Sequence, residues 1–287
     1  MSQVWLITGC SSGLGLSLTL AALKAGHQVV ATSRNPSKTP ALVSEVQSLG
    51  GKWKGLDVSD PNSGNIVKEV IHDFGRIDVL INNAAAALLG AFEDISEEES
   101  RHQMEVNFFG PMRLCKAVIP SMREQRSGTI INISSAAGMV GRASRCLYAG
   151  SKHALEGFTE ALSAELAPFN IACLLVQPGP FRTQFVNNVC YPASSGPSGV
   201  SPVYRGTPVD AIIKYTKSLA TGAGGDPDKA AQAILDVVAG TGLARGKERY
   251  LRLPLGSECK KVLEEKIQVL TDTLKNQEEI ICSTDIV

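Results

Sequence analysis

The feature that most constrains this chain is the alternation of short apolar runs with longer helical patterns. The apolar runs are predicted strands: Val4–Thr8, Gln28–Thr32, Lys52–Leu56, Val79–Asn82, Thr129–Ile133 and Ile171–Val176. Helical patterns separate them: Gly13–Ala25, Pro40–Leu49, Ser63–Phe74, Glu97–Val118 and Tyr148–Leu166. Strands joined through helices pair in parallel, and uninterrupted apolar strand cores imply burial on both faces. The sequence therefore predicts an α/β fold, with a doubly wound parallel sheet in a Rossmann-like, three-layer α/β/α arrangement.

The character of the sequence changes after Pro178. Residues 184–208 are rich in Ser, Pro and Gly, and a loop of this length is typical of a lid or of a disordered segment. Three further helices and one strand are predicted beyond it: Val209–Leu219, Pro227–Ala239, Arg249–Leu253 (the strand) and Glu258–Leu274. Because no linker divides the chain, we predict one domain over 1–287. It comprises a core (3–185), a substrate-loop region (184–226) and a C-terminal helical elaboration (227–287).

The amino-acid composition excludes several classes of function for this chain. The chain has 28 Lys and Arg against 28 Asp and Glu, and a net charge of zero argues against a nucleic-acid-binding protein. No run of about 18 apolar residues is present, so no membrane span is predicted. The 7 cysteines form no CxxC pair, the 4 histidines show no ligand spacing, and residues 1–9 lack a signal-peptide pattern. We therefore expect reduced thiols, no metal site and a cytoplasmic location.

A glycine-rich turn, Thr8–Gly15, lies between the first predicted strand and helix. Gly9 allows a tight turn, Gly13 lets the backbone approach a pyrophosphate, and Gly15 lets helix and strand pack closely. The free N–H groups at the helix N-terminus favour an anion. The turn predicts a dinucleotide site, and since no GxxxxGK[ST] follows, a P-loop is excluded.

The end of the second predicted strand bears on the choice of cofactor. It reads Thr32-Ser33-Arg34-Asn35, where NAD-binding proteins usually carry an acid for the ribose 2′-hydroxyl. Residues 1–44 contain no acid but hold Lys24, Arg34 and Lys38. Arg34 either binds a 2′-phosphate or is an ordinary solvated side chain, and we predict the former, with NADP(H) as the cofactor.

A second group of residues indicates acid–base chemistry. Tyr148 and Lys152 are four residues apart on a predicted helix and so share one face. A neighbouring ammonium favours the phenolate and makes tyrosine a usable acid or base. Ser135, at the end of a predicted strand, can share a substrate oxygen with Tyr148. Asn107 interrupts an apolar helical stretch, either as a helix distortion or as a residue that holds water for a proton relay.

Taken together, these residues resemble the short-chain dehydrogenase/reductase family. The matching elements follow the family's order over residues 3–185: Thr8–Gly15, Asp57, Asn82–Ala84, Asn107, Ser135, Tyr148, Lys152 and Pro178–Gly179. The sequence also resembles the hydroxysteroid- and retinol-dehydrogenase-like members of this family, including the stretch Leu253-Pro254-Leu255-Gly256. One departure is Ala85, where the family usually has glycine; we expect a slight backbone adjustment there.

The resemblance implies roles for the catalytic group. Tyr148 transfers a proton, Lys152 lowers the Tyr148 pKa and contacts the nicotinamide ribose, Ser135 orients the carbonyl or alcohol, and Asn107 positions a water. The implied cofactor contacts are Gly9, Ser11, Ser12 (at the 2′-phosphate with Arg34), Gly13, Leu14, Gly15, Ser33, Arg34, Asp57 and Val58 (flanking adenine), Asn83, Ala84, Tyr148, Lys152, and Pro178, Gly179 and Thr183 (near the nicotinamide).

Substrate selection is predicted to lie in 88–92, 136–147 and 184–208. Their apolar residues predict a hydrophobic ketone or secondary alcohol, although several can equally be ordinary core: Leu88, Leu89, Met139, Val140, Leu147, Phe181, Phe185 and Val189, with Cys146 and Cys190 as further candidates. The alternatives to an NADP(H)-dependent oxidoreductase are a non-redox enzyme on this scaffold (dehydratase, epimerase or cyclase) and an NADP-binding regulatory protein. The resemblance also implies a homodimer or homotetramer built on helices 97–118 and 148–166.

Overall fold

A parallel sheet of seven strands forms the centre of the molecule. The computed structural model describes residues 2–222 and 224–286; positions 1, 223 and 287 of the predicted domain lie outside the described residues. Its strands are β1 (Val4–Ile7), β2 (Gln28–Ser33), β3 (Lys52–Gly55), β4 (Val79–Asn82), β5 (Ala87–Leu88), β6 (Gly128–Ile133), β7 (Ile171–Pro178), β8 (Val189–Cys190) and β9 (Arg252–Leu255). The large sheet has the order β3-β2-β1-β4-β6-β7-β9, and β5 pairs with β8 in a small parallel sheet. The predicted doubly wound α/β fold is confirmed.

Helices cover both faces of the large sheet. They are α1 (Gly13–Lys24), α2 (Pro40–Ser48), α3 (Asn65–Phe74), α4 (Glu97–Met104), α5 (Gly110–Gln125), α6 (Cys146–Leu166), α7 (Pro208–Gly222), α8 (Pro227–Ala239), α9 (Ser257–Asn276) and α10 (Glu278–Cys282). Successive side chains of a strand point to opposite faces. Leu6 and Leu80 therefore pack with α3, α5 and α6, whereas Ile7 and Ile81 pack with α1, α2 and α8.

The chain order of the strands reverses between β1 and β4. From β1 the sheet runs outward to β2 and β3 on one side and to β4, β6, β7 and β9 on the other. In open parallel sheets, the carboxyl ends of the strands leave a crevice at such a point, and ligands bind there. The fold therefore places the ends of β1, β4 and β6, with the glycine turn after β1, around one opening.

One predicted helix is divided. The range Glu97–Val118 was expected to be a single helix, but α4 ends at Met104, a π-helical turn spans Glu105–Phe109, and α5 continues to Gln125. Pro111 has no N–H to donate to the carbonyl of Asn107 four residues earlier, so regular helical bonding cannot continue there. The prediction of one uninterrupted helix is wrong, and the alternative of a distortion at Asn107 is confirmed.

The C-terminal third also differs from expectation in detail. The last strand is Arg252–Leu255 rather than Arg249–Leu253, and it pairs with β7 at the edge of the sheet, where Pro254 is tolerated. Residues 184–208 are not a featureless loop, because they contain β8 and three short 3₁₀ turns. Helix α7 occupies much of the remainder of the predicted region 184–226.

Candidate active site

The carboxyl ends of the central strands open into one large cleft with a volume of about 990 Å³. Every residue of the predicted cofactor set lines this cleft except Gly15. Of the predicted catalytic residues, Ser135, Tyr148 and Lys152 line it and Asn107 does not. Ala85, where the family usually has glycine, lies on the wall without displacing its neighbours from the cleft. The fold thus brings together residues that are distant in sequence.

The glycine turn is held by hydrogen bonds from the segment after β4. The Thr8 hydroxyl accepts from the backbone N–H groups of Asn83 and Ala84, both at 3.0 Å. The Asn83 amide nitrogen donates to the carbonyl oxygens of Thr8 at 2.9 Å and Gly9 at 3.1 Å. A Cβ at Gly15 would overlap that same amide nitrogen and the Gly9 carbonyl oxygen. Helix α1 therefore needs glycine at position 15 to pack closely against the turn. The predicted close packing was between this helix and the strand.

The start of α1 is available to an anion. Its N-cap residue Ser12 makes no side-chain cap to the helix, and no acid lies in the first helical turn. The backbone at Gly9 and Gly13 has positive φ angles of 72° and 57°, which favour glycine. Thr183 closes over Gly13, since an added Cβ there would lie 3.0 Å from the Thr183 Cβ. Free N–H groups at a positive helix end suit a phosphate.

The end of β2 forms the far end of the cleft, beside Val58. Arg34 is exposed there, while the buried Ser33 hydroxyl accepts a hydrogen bond from Trp53 Nε1 at 3.0 Å. Burial opposes ionisation of Asp57, but hydrogen bonds from Ser59 and the nearby Arg34 guanidinium hold the pKa of that carboxyl below its usual value. Asp57 Oδ1 accepts from the Ser59 N–H at 2.9 Å and hydroxyl at 2.6 Å. Asp57 is thus engaged by Ser59, and Arg34 faces the cleft as a cation.

Tyr148 and Lys152 are both buried on the inner face of α6. The Lys152 ammonium donates to the Ile133 carbonyl at 2.8 Å and lies 6.0 Å from the centre of the Tyr148 ring. The Ser135 hydroxyl, two residues beyond β6, accepts from the Ala137 N–H at 3.1 Å. The end of β6 thus carries the serine and also anchors the lysine beside the tyrosine.

Burial dominates the electrostatics of this group. Burial raises the pKa of Tyr148, and the opposing influences come from the Ser135 hydroxyl and the Arg145 guanidinium. Burial lowers the pKa of Lys152 to about 8, against a smaller opposing effect of Glu156. Burial thus outweighs the groups that favour the phenolate, and the lowering of the Tyr148 pKa by Lys152 stays a prediction.

Asn107 lies behind the cleft wall. Its Oδ1 accepts from the Ala86 N–H at 2.8 Å, while its Nδ2 donates to the Ala86 carbonyl at 3.0 Å and to the Ser151 hydroxyl at 3.0 Å. Gln103, which the sequence reasoning missed, bonds the Leu88 N–H and the Ala86 carbonyl in the same way. Both amides hold the segment around β5, so the water-positioning role of Asn107 stays a prediction.

Most of the expected substrate residues line the other half of the cleft: Leu88, Leu89, Val140, Phe181, Phe185, Val189 and Cys190. Met139, Leu147 and Cys146, which were also candidates, are not among the lining residues of the described chain. The Phe185 ring lies 6.0 Å from the Tyr148 ring, centre to centre. An apolar wall therefore begins directly beside Tyr148.

The sequence reasoning missed the contribution of two C-terminal helices. Tyr215, Thr216 and Leu219 of α7 and Glu258, Cys259 and Val262 of α9 complete the wall. Both segments were predicted as helices, but the sequence did not indicate that either of them faces the cleft. Within residues 2–222 and 224–286, no helix is both long and apolar enough to cross a membrane, and no group of three metal-ligating side chains is assembled.

Known proteins resemble this chain over most of its length. A family model described as short chain dehydrogenase matches residues 3–191. Oxidoreductase claN of Passalora fulva is 46% identical over 222 residues, covering 77% of this chain and 98% of that protein. Retinol dehydrogenase 8 of Homo sapiens is 36% identical over 241 residues, covering 82% and 78%. A short-chain dehydrogenase crystal structure from Streptomyces avermitilis matches with a TM-score of 0.86 and 35% identity, covering 100% of both chains.

Proposed function

This chain belongs to the short-chain dehydrogenase family, and from that membership we propose that it interconverts a ketone and a secondary alcohol on a hydrophobic small molecule, with NADP(H) as its cofactor. The family makes it an oxidoreductase acting on alcohol or carbonyl groups. The observation that carries the finer proposal is the buried pair Tyr148 and Lys152 at the end of the strand that presents Ser135, between a phosphate-ready turn and an apolar wall.

The residues of the cleft fit a phosphorylated dinucleotide. The uncapped start of α1 offers N–H groups to a pyrophosphate, and the absence of an acid in its first turn removes the main source of repulsion. Arg34 stands at the end of β2, where its forked guanidinium would hold a 2′-phosphate, with Ser12 facing the same cleft. Asp57 and Val58 would flank the adenine, while Pro178, Gly179 and Thr183 would lie near the nicotinamide.

The chain's own residues would handle the proton. When bound, the nicotinamide supplies a hydride to the carbonyl carbon, or accepts one from the alcohol carbon. Tyr148 donates its phenolic proton to the oxygen that receives the carbonyl π electrons, while Ser135 holds that oxygen. Because burial raises the pKa of Tyr148, the phenol is protonated at neutral pH, the form required for reduction.

A substrate panel followed by NADPH absorbance tests this proposal. Tyr148→Phe should lower kcat/KM by about 10²- to 10⁴-fold, the usual contribution of a general acid, and should still bind NADPH by fluorescence titration. Tyr250→Phe is the matched control, since Tyr250 is 68% exposed and does not line the cleft of the described chain. Undiminished turnover by Tyr148→Phe would exclude the assigned role.

Two further expectations are part of the proposal. A homodimer or homotetramer built on α4, α5 and α6 is supported by the exposed Phe109 ring on that surface, and light scattering of the purified protein tests it. A cytoplasmic location is supported by the seven cysteines, all of them unpaired, as expected in a reducing compartment. Imaging of a tagged full-length chain tests the location.

A further inference from the structure

Two arginines enter the cleft wall just before α6. Arg142 and Arg145 both line the cavity, on the side that carries Tyr148 and the apolar residues. In the described part of the chain, the arginine ion pairs are made by other arginines, and neither Arg142 nor Arg145 takes part in one. Both guanidinium groups therefore line the cleft without an ion-pair partner in the described chain.

The surroundings of Arg145 show a donor without an acceptor. Its Nη2 donates to the Thr216 hydroxyl at 2.9 Å, but its Nε is buried and makes no hydrogen bond. A guanidinium has five N–H donors, and burying a charged donor without a partner is costly. Burial lowers the pKa of Arg145, against an opposing effect of Tyr148, and the like charge of Arg142 lowers it further.

Four acids line the same cleft, Asp57, Glu98, Glu99 and Glu258, and in the described chain none of them forms an ion pair with Arg142 or Arg145. Glu258 accepts a hydrogen bond from the Tyr215 hydroxyl at 3.0 Å, and Glu99 accepts from the Ala193 N–H at 2.9 Å. Asp57 lies at the opposite, cofactor end of the cleft and is held by Ser59. The described chain therefore supplies neither Arg142 nor Arg145 with a carboxylate partner, although both line the cleft that a ligand would enter.

The position of Arg145 defines where an acceptor from a ligand would lie. Arg145 is the N-cap residue of α6, three residues before Tyr148. The arginine is close enough to influence the Tyr148 pKa. Leu219 and Val262 line the cavity beyond it. A molecule that places its reacting oxygen at Tyr148 therefore meets a cation nearby and an apolar surface further out.

We propose that Arg145, assisted by Arg142, binds a carboxylate of the substrate, so that the preferred substrates are oxo acids and hydroxy acids with an apolar body. The inference rests on the proposed function and sharpens it, since it adds an acidic group to the hydrophobic ketone or alcohol. Arg145 is then a specificity-determining residue, and Thr216 holds its guanidinium in place from α7.

Matched substrates test the charge requirement with the full-length protein. We expect 4-oxodecanoate to be reduced with a kcat/KM at least 10-fold above that of methyl 4-oxodecanoate, which keeps the ketone and tail but lacks the charge. Arg145→Gln should lower kcat/KM for the acid by about 10- to 100-fold, as loss of a charged hydrogen bond does, and lower that for the ester by clearly less, so that the preference for the acid falls. Arg145→Lys should recover part of the preference.

A second variant separates recognition from structure. Thr216→Val removes the tether to α7 but keeps the guanidinium, so the acid should remain preferred over the ester. An equal loss for acid and ester in Arg145→Gln, or a wild-type protein indifferent to the charge, would overturn the proposal. If neither compound turns over, the substrate panel described above tests the proposed function on its own. Binding of decanoate against methyl decanoate, measured by calorimetry on wild type and Arg145→Gln, then decides the carboxylate site.

Discussion

The Lys152 ammonium donates its hydrogen bond to the Ile133 carbonyl at 2.8 Å, and not to the neighbouring tyrosine. Ile133 is the last residue of β6, so the lysine is fastened to the strand that leads to Ser135. Lys152 is 2% exposed, and burial lowers its pKa to about 8. An amine with that pKa exchanges protons readily near neutral pH, which suits a residue placed behind a proton donor.

Removing the buried charge should change how stability depends on pH. Below about pH 8 both folded and unfolded chains hold the Lys152 proton, and the folded state carries the burial penalty. Between about pH 8 and 10.5 the folded chain has released it and the unfolded chain has not, so wild-type stability rises relative to Lys152→Met. The difference between these two pKa values corresponds to a rise of about 3 kcal/mol in the free energy of unfolding. Urea unfolding of both proteins across this range measures it, and Lys68→Met, at an exposed position, is the control. A pH-independent difference would contradict the burial argument.

The two reaction directions should respond oppositely to pH. Reduction needs protonated Tyr148 and oxidation needs it deprotonated, and burial raises the Tyr148 pKa above its ordinary 10.0. The kcat/KM for alcohol oxidation should therefore rise from about pH 7 to about pH 10, while that for ketone reduction stays level at neutral pH and falls only in the alkaline range. Initial rates in both directions check this. Oxidation that is fastest in acid would be inconsistent with Tyr148 as the base.

Reversing the charge at residue 34 should exchange the cofactor preference. Arg34→Asp places a carboxylate where the 2′-phosphate of NADPH is proposed to lie, so kcat/KM with NADPH should fall by about 10- to 100-fold. The value with NADH should be retained or improved. Lys38→Asp makes the same charge change at an exposed residue away from the cleft wall and should alter the ratio far less. A wild-type protein without preference for NADPH would remove the basis of this prediction.

Two glycine-to-alanine changes in helices should have opposite effects. Gly15→Ala forces a methyl group into the Asn83 amide and the Gly9 carbonyl, so we expect about 1–3 kcal/mol of destabilisation and weaker cofactor binding. Gly157 lies on α6 with open space around its Cβ direction, and Gly157→Ala should stabilise by about 0.5–1 kcal/mol. Thermal unfolding and NADPH titration compare the two. Equal changes in stability and in NADPH affinity for the two variants would show that the turn is not tightly packed against Gly15.

Local signals predicted the core of the fold well. The apolar runs of β1, β4 and β7 and the glycine turn are set by neighbouring residues, and each predicted strand of the first two-thirds is present to within two residues. The predicted cofactor and catalytic residues line one cleft, except Gly15 and Asn107, because they sit at strand ends or one turn apart on a helix. Parallel pairing alone brings such positions together.

What the sequence did not reveal depends on contacts between distant residues. The interruption at Asn107 had a local cause, Pro111, but its amide partner Ala86 lies 21 residues away. Arg145 reads as an ordinary surface cation until Thr216, 71 residues later, is placed against it. The lowering of the Lys152 pKa likewise requires the burial that only the assembled fold supplies.

The edge position of β9 has a consequence for how the protein is made. While β7 leaves the ribosome, its outer edge has no partner until residues 252–255 arrive, and an unpaired edge is a template for aggregation. The intervening nascent segment includes the cleft-lining residues of α7, and β9 leads directly into those of α9. The outer edge of β7 therefore stays unpaired until the chain of this part of the cleft wall has been made.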